Sequence, residues 1–156
     1  MNYDEFDTFV NTDLVYDKQL ISIIDNQGRQ IYLSNVGQLH SYYGKTIKLE
    51  HMEYYGEEIN SICLDIKKRF KHKGFVTCHV FRSYENSHSF PEHVDNEDVL
   101  LYVIEGQKQI ETLGKIYTIE QNQEFFIPKG QAHRAINNTE SLMFSFGLEK
   151  FYSTVS

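Results

Sequence analysis

The sequence predicts a mainly β protein, a barrel preceded by a helical N-terminal flank. Three observations carry that prediction. After Gly74 short strand-like runs are broken by turn residues at intervals of about eight to twelve positions, the pattern of an all-β sandwich or barrel. Before Gly74 one stretch, Glu57 to Phe70, repeats its apolar residues with helical period. The length, 156 residues, suits one compact domain, read here as a flank over 1–74 packed on a barrel over 75–156.

Met1 to Thr12 is acidic and lacks a clean period, so it reads as a frayed or loosely docked end. Leu20 to Ile24, the turn Asp25-Asn26-Gln27-Gly28, and Gln30 to Leu33 read as strand, turn and strand. Ser34 is the expected cap of a short helix that ends at Gly44, and Lys45 to Glu50 is a strand. In the main helix, about 57–71, Ile59, Ile62, Cys63, Ile66 and Phe70 fall on one stripe. Glu57 and Glu58 sit in its first turn and the run Lys67-Lys68-Arg69 in its last, as the helix dipole favours. The barrel strands are Phe75–Ser83, Asp98–Glu105, Gln107–Leu113, Lys115–Glu120, Glu124–Ile127, Ala132–Asn137 and Leu142–Leu148. Val99 to Ile104 is apolar at both parities, which predicts one face lining the barrel and the other receiving the helix stripe.

The net charge of -7 argues against a general nucleic-acid binder, since neutralising phosphates takes clustered Lys and Arg. No secretory leader or long apolar span is present, which excludes a membrane partner and makes a reducing cytoplasm the expectation. Cys63 and Cys78 fall in apolar segments and read as buried small hydrophobes. A homodimer is left open by the barrel's edge strands.

The chemistry concentrates at His93-Val94-Asp95 and His133. On an extended chain positions i and i+2 share a face, so His93 and Asp95 reach one ion together. His133 follows the turn Pro128-Lys129-Gly130, and the only two prolines of the chain, Pro91 and Pro128, each precede a candidate ligand. Two imidazoles and a carboxylate form a facial triad that leaves positions open on an octahedral metal, as non-haem Fe(II) requires.

Pro128-Lys129-Gly130-Gln131-Ala132-His133-Arg134-Ala135-Ile136-Asn137 resembles the second cupin motif, P-x-G-x-x-H-x-x-x-N. In the first motif Asp95 stands where a plain metal cupin has its second His, and Val99 where it has Glu. Phe90-Pro91-Glu92-His93-Val94-Asp95 and the strand after it resemble the core of the JmjC-type, ribosomal-oxygenase-like 2-oxoglutarate hydroxylases. The likeness runs over roughly residues 45 to 150. It implies a double-stranded β-helix, the jelly-roll form of barrel. It also implies an Fe(II) centre on His93, Asp95 and His133, and 2-oxoglutarate as cosubstrate. Lys108, fifteen positions after His93, takes the place of the family's basic anchor for the distal carboxylate of 2-oxoglutarate, the other reading being a surface lysine on a hairpin. Arg82 is a second candidate anchor, and His88 an alternative ligand or a lid residue. His40, His51, His72 and His79 have no partner at ligand spacing and read as structural or exposed.

The main expectation is thus an Fe(II)- and 2-oxoglutarate-dependent hydroxylase of a peptide, a protein side chain or a small molecule. Two alternatives stand beside it: a metal cupin that works without 2-oxoglutarate, as a small-molecule dioxygenase or isomerase, and a non-catalytic ligand-binding barrel.

Overall fold

A computed structural model describes residues 1–150. In the flank, α1 (Tyr3–Val10) and α2 (Asp13–Asp17) are followed by the hairpin β1 (Ile21–Ile24) and β2 (Gln30–Tyr32). Then come α3 (Val36–Ser41), β3 (Thr46–Leu49), a single 3-10 turn at Met52–Tyr54, and α4 (Glu57–Arg69). The barrel strands are β4 (Val76–Ser83), β5 (Asp98–Gly106), β6 (Lys108–Thr112), β7 (Lys115–Ile119), β8 (Glu124–Ile127), β9 (His133–Ile136) and β10 (Ser141–Leu148). Residues 151–156 of the expected barrel segment lie outside the described residues.

Two antiparallel sheets form the double-stranded β-helix. The large one runs β2-β1-β3-β4-β10-β5-β8 and the small one β7-β6-β9. Strands β1 to β3 of the flank therefore extend the barrel's own sheet, with Lys48 of β3 opposite Phe81 of β4. The β1–β2 turn is fixed by Asp25, whose Oδ1 accepts the N–H groups of Gln27 and Arg29 at 2.9 Å each. Gly106 ends β5 at φ 77, where a Cβ would lie 2.2 Å from the Glu140 carbonyl oxygen, so only glycine fits.

The core has two parts, one on each side of the large sheet. Outside it, Phe6, Val15, Ile59, Cys63 and Ile66 of the flank pack with Cys78, Val80, Phe144 and Phe146. Inside the barrel, Val99, Leu101, Val103, Ile110, Ile119, Ile127 and Met143 form a second, smaller cluster. The alternation along β10 explains the division: Phe144 and Phe146 face the flank while Met143, Ser145 and Gly147 face the barrel interior. Small residues on the inner parity leave a cavity there rather than a filled core.

Three expectations change. The first twelve residues are not frayed: Asn2 caps α1, its side chain accepting from the Glu5 N–H at 2.8 Å, and Phe6 and Val10 are buried. A helix of eight residues buries too few positions to show its period in the sequence. The short helix is capped by Asn35, which accepts from the Gln38 N–H, and not by Ser34. The stripe of α4 lies chiefly on β4 rather than β5, because β4 and β10 occupy the middle of the sheet's outer face. Leu100 of β5 joins that core, and Phe70, past the helix end, stacks on Phe126 of β8 with ring centroids 5.6 Å apart. Cys63 and Cys78 are both buried and free, and burial pushes the Cys63 thiol up to about 12.

Candidate metal centre

His93 and His133 face each other as an antiparallel bridge, each donating its backbone N–H to the other's carbonyl at 3.0 Å. Side chains of directly opposed residues lie on the same side, and the two imidazole centroids are 4.4 Å apart. Asp95, two residues on, joins them: its Oδ2 is 3.3 Å from His133 Nε2 and its Oδ1 3.8 Å from His93 Nε2. The Pro128-Lys129-Gly130 turn is fastened to the same loop. Gly130, at φ 80, donates its N–H to the Asp95 carbonyl at 3.0 Å, and Lys129 donates its own to Asp98 Oδ1 at 2.8 Å.

Each imidazole is oriented from behind. His93 Nδ1 lies 2.8 Å from the Pro91 carbonyl oxygen and His133 Nδ1 2.9 Å from that of Gln131. A carbonyl only accepts, so both Nδ1 atoms carry a proton, and in the neutral rings both Nε2 atoms turn a lone pair towards Asp95. Metal-binding histidines are held in just this manner, by a hydrogen bond from the other ring nitrogen. Two lone pairs and a carboxylate in contact repel unless a cation lies between them. A proton answers in part: the hydrogen bond to Asp95 raises the His133 pKa, against burial, and the same bond holds the Asp95 carboxyl below its ordinary value. One ligand atom from each of the three side chains lies within 4.8 Å of the others, a spacing that a transition-metal ion can draw together. The mixed nitrogen and oxygen donor set suits Fe, Mn, Co, Ni or Zn rather than Mg or Ca.

Beside the triad is a cavity of about 190 Å³. Its walls include Val99, Leu101, Ile110 and Met143, with Phe81 and Phe90 towards the flank. Lys48 of β3 stands 5.3 Å from the Phe90 ring centroid and 5.8 Å from that of Phe81, so the flank supplies part of the wall. Lys108 also lines the cavity and is only 1% exposed. Its ammonium donates to Asn137 Oδ1 at 2.5 Å and to Ser83 Oγ at 3.0 Å, and among the described residues it forms no ion pair with a carboxylate. Burial pulls its pKa down to about 7. The surface-hairpin reading of Lys108 is therefore excluded.

Arg82 is not an anchor for a ligand. Along β4 the odd positions Thr77, His79, Phe81 and Ser83 face inward and the even ones outward, which sends Arg82 to the flank. There its guanidinium lies between the rings of Tyr3 and Tyr84, at 4.1 and 4.2 Å, and pairs with Glu140 at 3.1 Å. His88 is exposed and does not line the cavity. Sequence reasoning missed His79 and Ser83. Alternation along β4 sets them on the face opposite Cys78 and Val80, but which of the two faces is the barrel interior is decided by the packing of Cys78 and Val80 against the flank.

Residues 75–150 match the family model described as the AraC-like ligand binding domain. No curated protein is a significant match. Similar solved structures include an RmlC-like cupin from Shewanella frigidimarina, with 14% identity and TM-score 0.47, covering 68% of this chain and 78% of that one. KdgF from Halomonas sp. is 18% identical with TM-score 0.45, over 51% of this chain and 74% of its own. A cupin superfamily protein from Desulfitobacterium hafniense is 15% identical with TM-score 0.44. That match takes in 46% of this chain and 65% of its own length, just under two thirds.

Proposed function

We propose that this double-stranded β-helix is a metal-dependent cupin that takes a small carboxylic acid as substrate or ligand. His93, Asp95 and His133 hold a divalent transition metal, and Lys108 receives the acid's carboxylate. The observation that carries this reading is the pair of imidazoles whose Nδ1–H groups are tied to backbone carbonyls, leaving both Nε2 lone pairs on one carboxylate. Lys108 supports the second half: a buried ammonium bonded only to neutral oxygens is short of an anion. The match to a ligand-binding family model agrees with a ligand inside the barrel.

The cavity sets the scale. About 190 Å³ lies below the roughly 300–1,000 Å³ of drug-sized sites, so the ligand is an acid of a few carbons. When bound, the metal supplies Lewis acidity and open positions for a substrate oxygen. The chain's own residues do the rest: Lys108 orients the acid, Ser83 and Asn137 position Lys108, and Phe81 and Phe90 limit water.

A 2-oxoglutarate-dependent hydroxylase is the second reading, favoured by Lys108 and the His-x-Asp…His set lining one cavity. It asks that the cavity admit the cosubstrate and open to a further substrate past Phe90. One experiment separates the readings: anaerobic titration with Fe(II) and with Co(II), alone and with succinate or 2-oxoglutarate. The expected result is one metal per chain, lost in His93→Ala, with a visible Co(II) spectrum that shifts on adding succinate in wild type and not in Lys108→Ala. A charge-transfer band from Fe(II) with 2-oxoglutarate moves the conclusion to the hydroxylase. Metal uptake with no response to either acid refutes the carboxylate half, and no metal uptake leaves a ligand-binding barrel.

A further inference from the structure

His79 is an inward-facing imidazole that the triad does not use. It lies on β4, lines the cavity, and has Ser145 of β10 as its register partner, giving a polar pair on a wall that also carries Phe81, Leu101 and Met143, with Thr77 and Lys48 further along it. The triad belongs to the other wall: His133 is on β9 of the small sheet and His93 bridges to it. Packed sheets stand about 10 Å apart, so a molecule of a few atoms bound at the triad spans the gap to the large sheet.

The imidazole is poorly provided for as a structural residue. Its Nδ1 is buried with no hydrogen-bond partner among the described residues. The nearest aromatic, His51, meets it edge-on with centroids 5.9 Å apart and does not supply a bond. Burial lowers its pKa to about 4, with Lys48 and His51 acting in the same direction and Glu50 and Asp95 opposing. At neutral pH the ring is uncharged, with one donor and one acceptor nitrogen.

Resting on the metal-cupin reading above, we propose that His79 is the ligand-recognition residue of the large-sheet wall. It hydrogen-bonds a polar atom of the small acid held at the His93–Asp95–His133 centre. The inward parity of β4 and the position opposite the triad put the ring on the cavity, and the unpartnered Nδ1 leaves it unfastened by any hydrogen bond from the protein on that side.

The test compares wild type with His79→Leu and His79→Gln, as metal-free and Co(II)-loaded protein, with succinate and 2-oxoglutarate as probes. Co(II) affinity is expected to stay within about threefold in all three, while His79→Leu loses about tenfold in affinity for the acid and His79→Gln recovers most of it. Metal-free His79→Leu is expected to melt about 2–4 °C higher, because the orphaned nitrogen is gone. A lower melting temperature makes His79 structural and overturns the proposal, as does acid binding by His79→Leu equal to wild type, or loss of Co(II) in step with the acid. The two failures are distinct. A wild type that takes up no Co(II) refutes the metal centre, whereas normal Co(II) and acid binding with an indifferent His79→Leu refutes His79 alone.

Discussion

Replacing Lys108 by Met tests the buried ammonium directly, because the cost of burying it depends on pH. The ordinary lysine value is 10.5 and the folded value about 7, a gap worth about 5 kcal/mol of charge burial at 1.36 kcal/mol per pH unit. At pH 6 the ammonium is charged in both folded and unfolded chains, and the folded chain carries the whole cost. As pH rises past about 7 the folded chain sheds the proton while the unfolded chain keeps it up to 10.5, so stability rises through that window and levels off above it. Between pH 6 and pH 9 wild type should gain about 2.7 kcal/mol relative to Lys108→Met, or roughly 5–10 °C in melting temperature. The assay is thermal unfolding of both proteins by circular dichroism at pH 6, 7.5 and 9. Every other titrating group cancels in the difference. The offset at any single pH is not diagnostic, since the variant also strips Asn137 Oδ1 and Ser83 Oγ of a donor, at about 1–3 kcal/mol each. Parallel curves would refute the reasoning. The same argument predicts proton uptake when an acid binds at pH 8, visible as a buffer-dependent heat, because a carboxylate restores the ammonium of a lysine that was neutral.

Loss of either histidine of the triad, in His93→Ala or His133→Ala, should weaken Co(II) binding by more than about a hundredfold while the far-ultraviolet spectrum is unchanged, as titration calorimetry would show. Metal binding should also weaken as pH falls, from a point above the ordinary histidine value of about 6.5. Asp95 raises the His133 pKa, so a proton competes for Nε2 earlier than in free imidazole, and affinity that is flat between pH 6 and 8 would count against this. Phe6→Ala removes a wholly buried ring from the core between flank and sheet, and about 3–5 kcal/mol with it. A melting temperature within a few degrees of wild type would show that α1 is only loosely docked.

The strands were legible because each barrel strand buries one or both faces in a regular alternation, and the triad was legible because its residues are close in sequence to turns that fix them. His93 and Asp95 share a face by period alone, and Pro128 and Gly130 mark the turn that delivers His133. Lys108 was found by its offset, but its burial was not visible, since nothing local to β6 says that Ser83 and Asn137 converge on its ammonium from 25 and 29 residues away. Arg82 misled for a related reason. A cation on a strand beside the site is as good a candidate as its neighbour until parity is fixed, and the parity of β4 is set by Cys78 and Val80 against α4, a tertiary fact. The N-terminal helix failed to register because two buried positions, Phe6 and Val10, do not make a period.

The flank belongs to the site as well as to the fold. The matched segment 75–150 begins just before β4 and leaves out β3, yet β3 pairs with β4 and carries Lys48 to the cavity wall between Phe81 and Phe90. Thr46 on the same strand bonds Ser83 and meets Ser87, two of the hydroxyls that surround Lys108 and Asn137. Without 1–74 the outer side of the large sheet would also present Cys78, Val80, Leu142, Phe144 and Phe146 to water, a large contiguous apolar face. The helices are thus required to cover one side of the sheet. The strand that comes with them, hydrogen-bonded to β4, finishes the cavity on the other side, so the position of Lys48 and the polar ring around Lys108 depend on the same packing that buries Phe6.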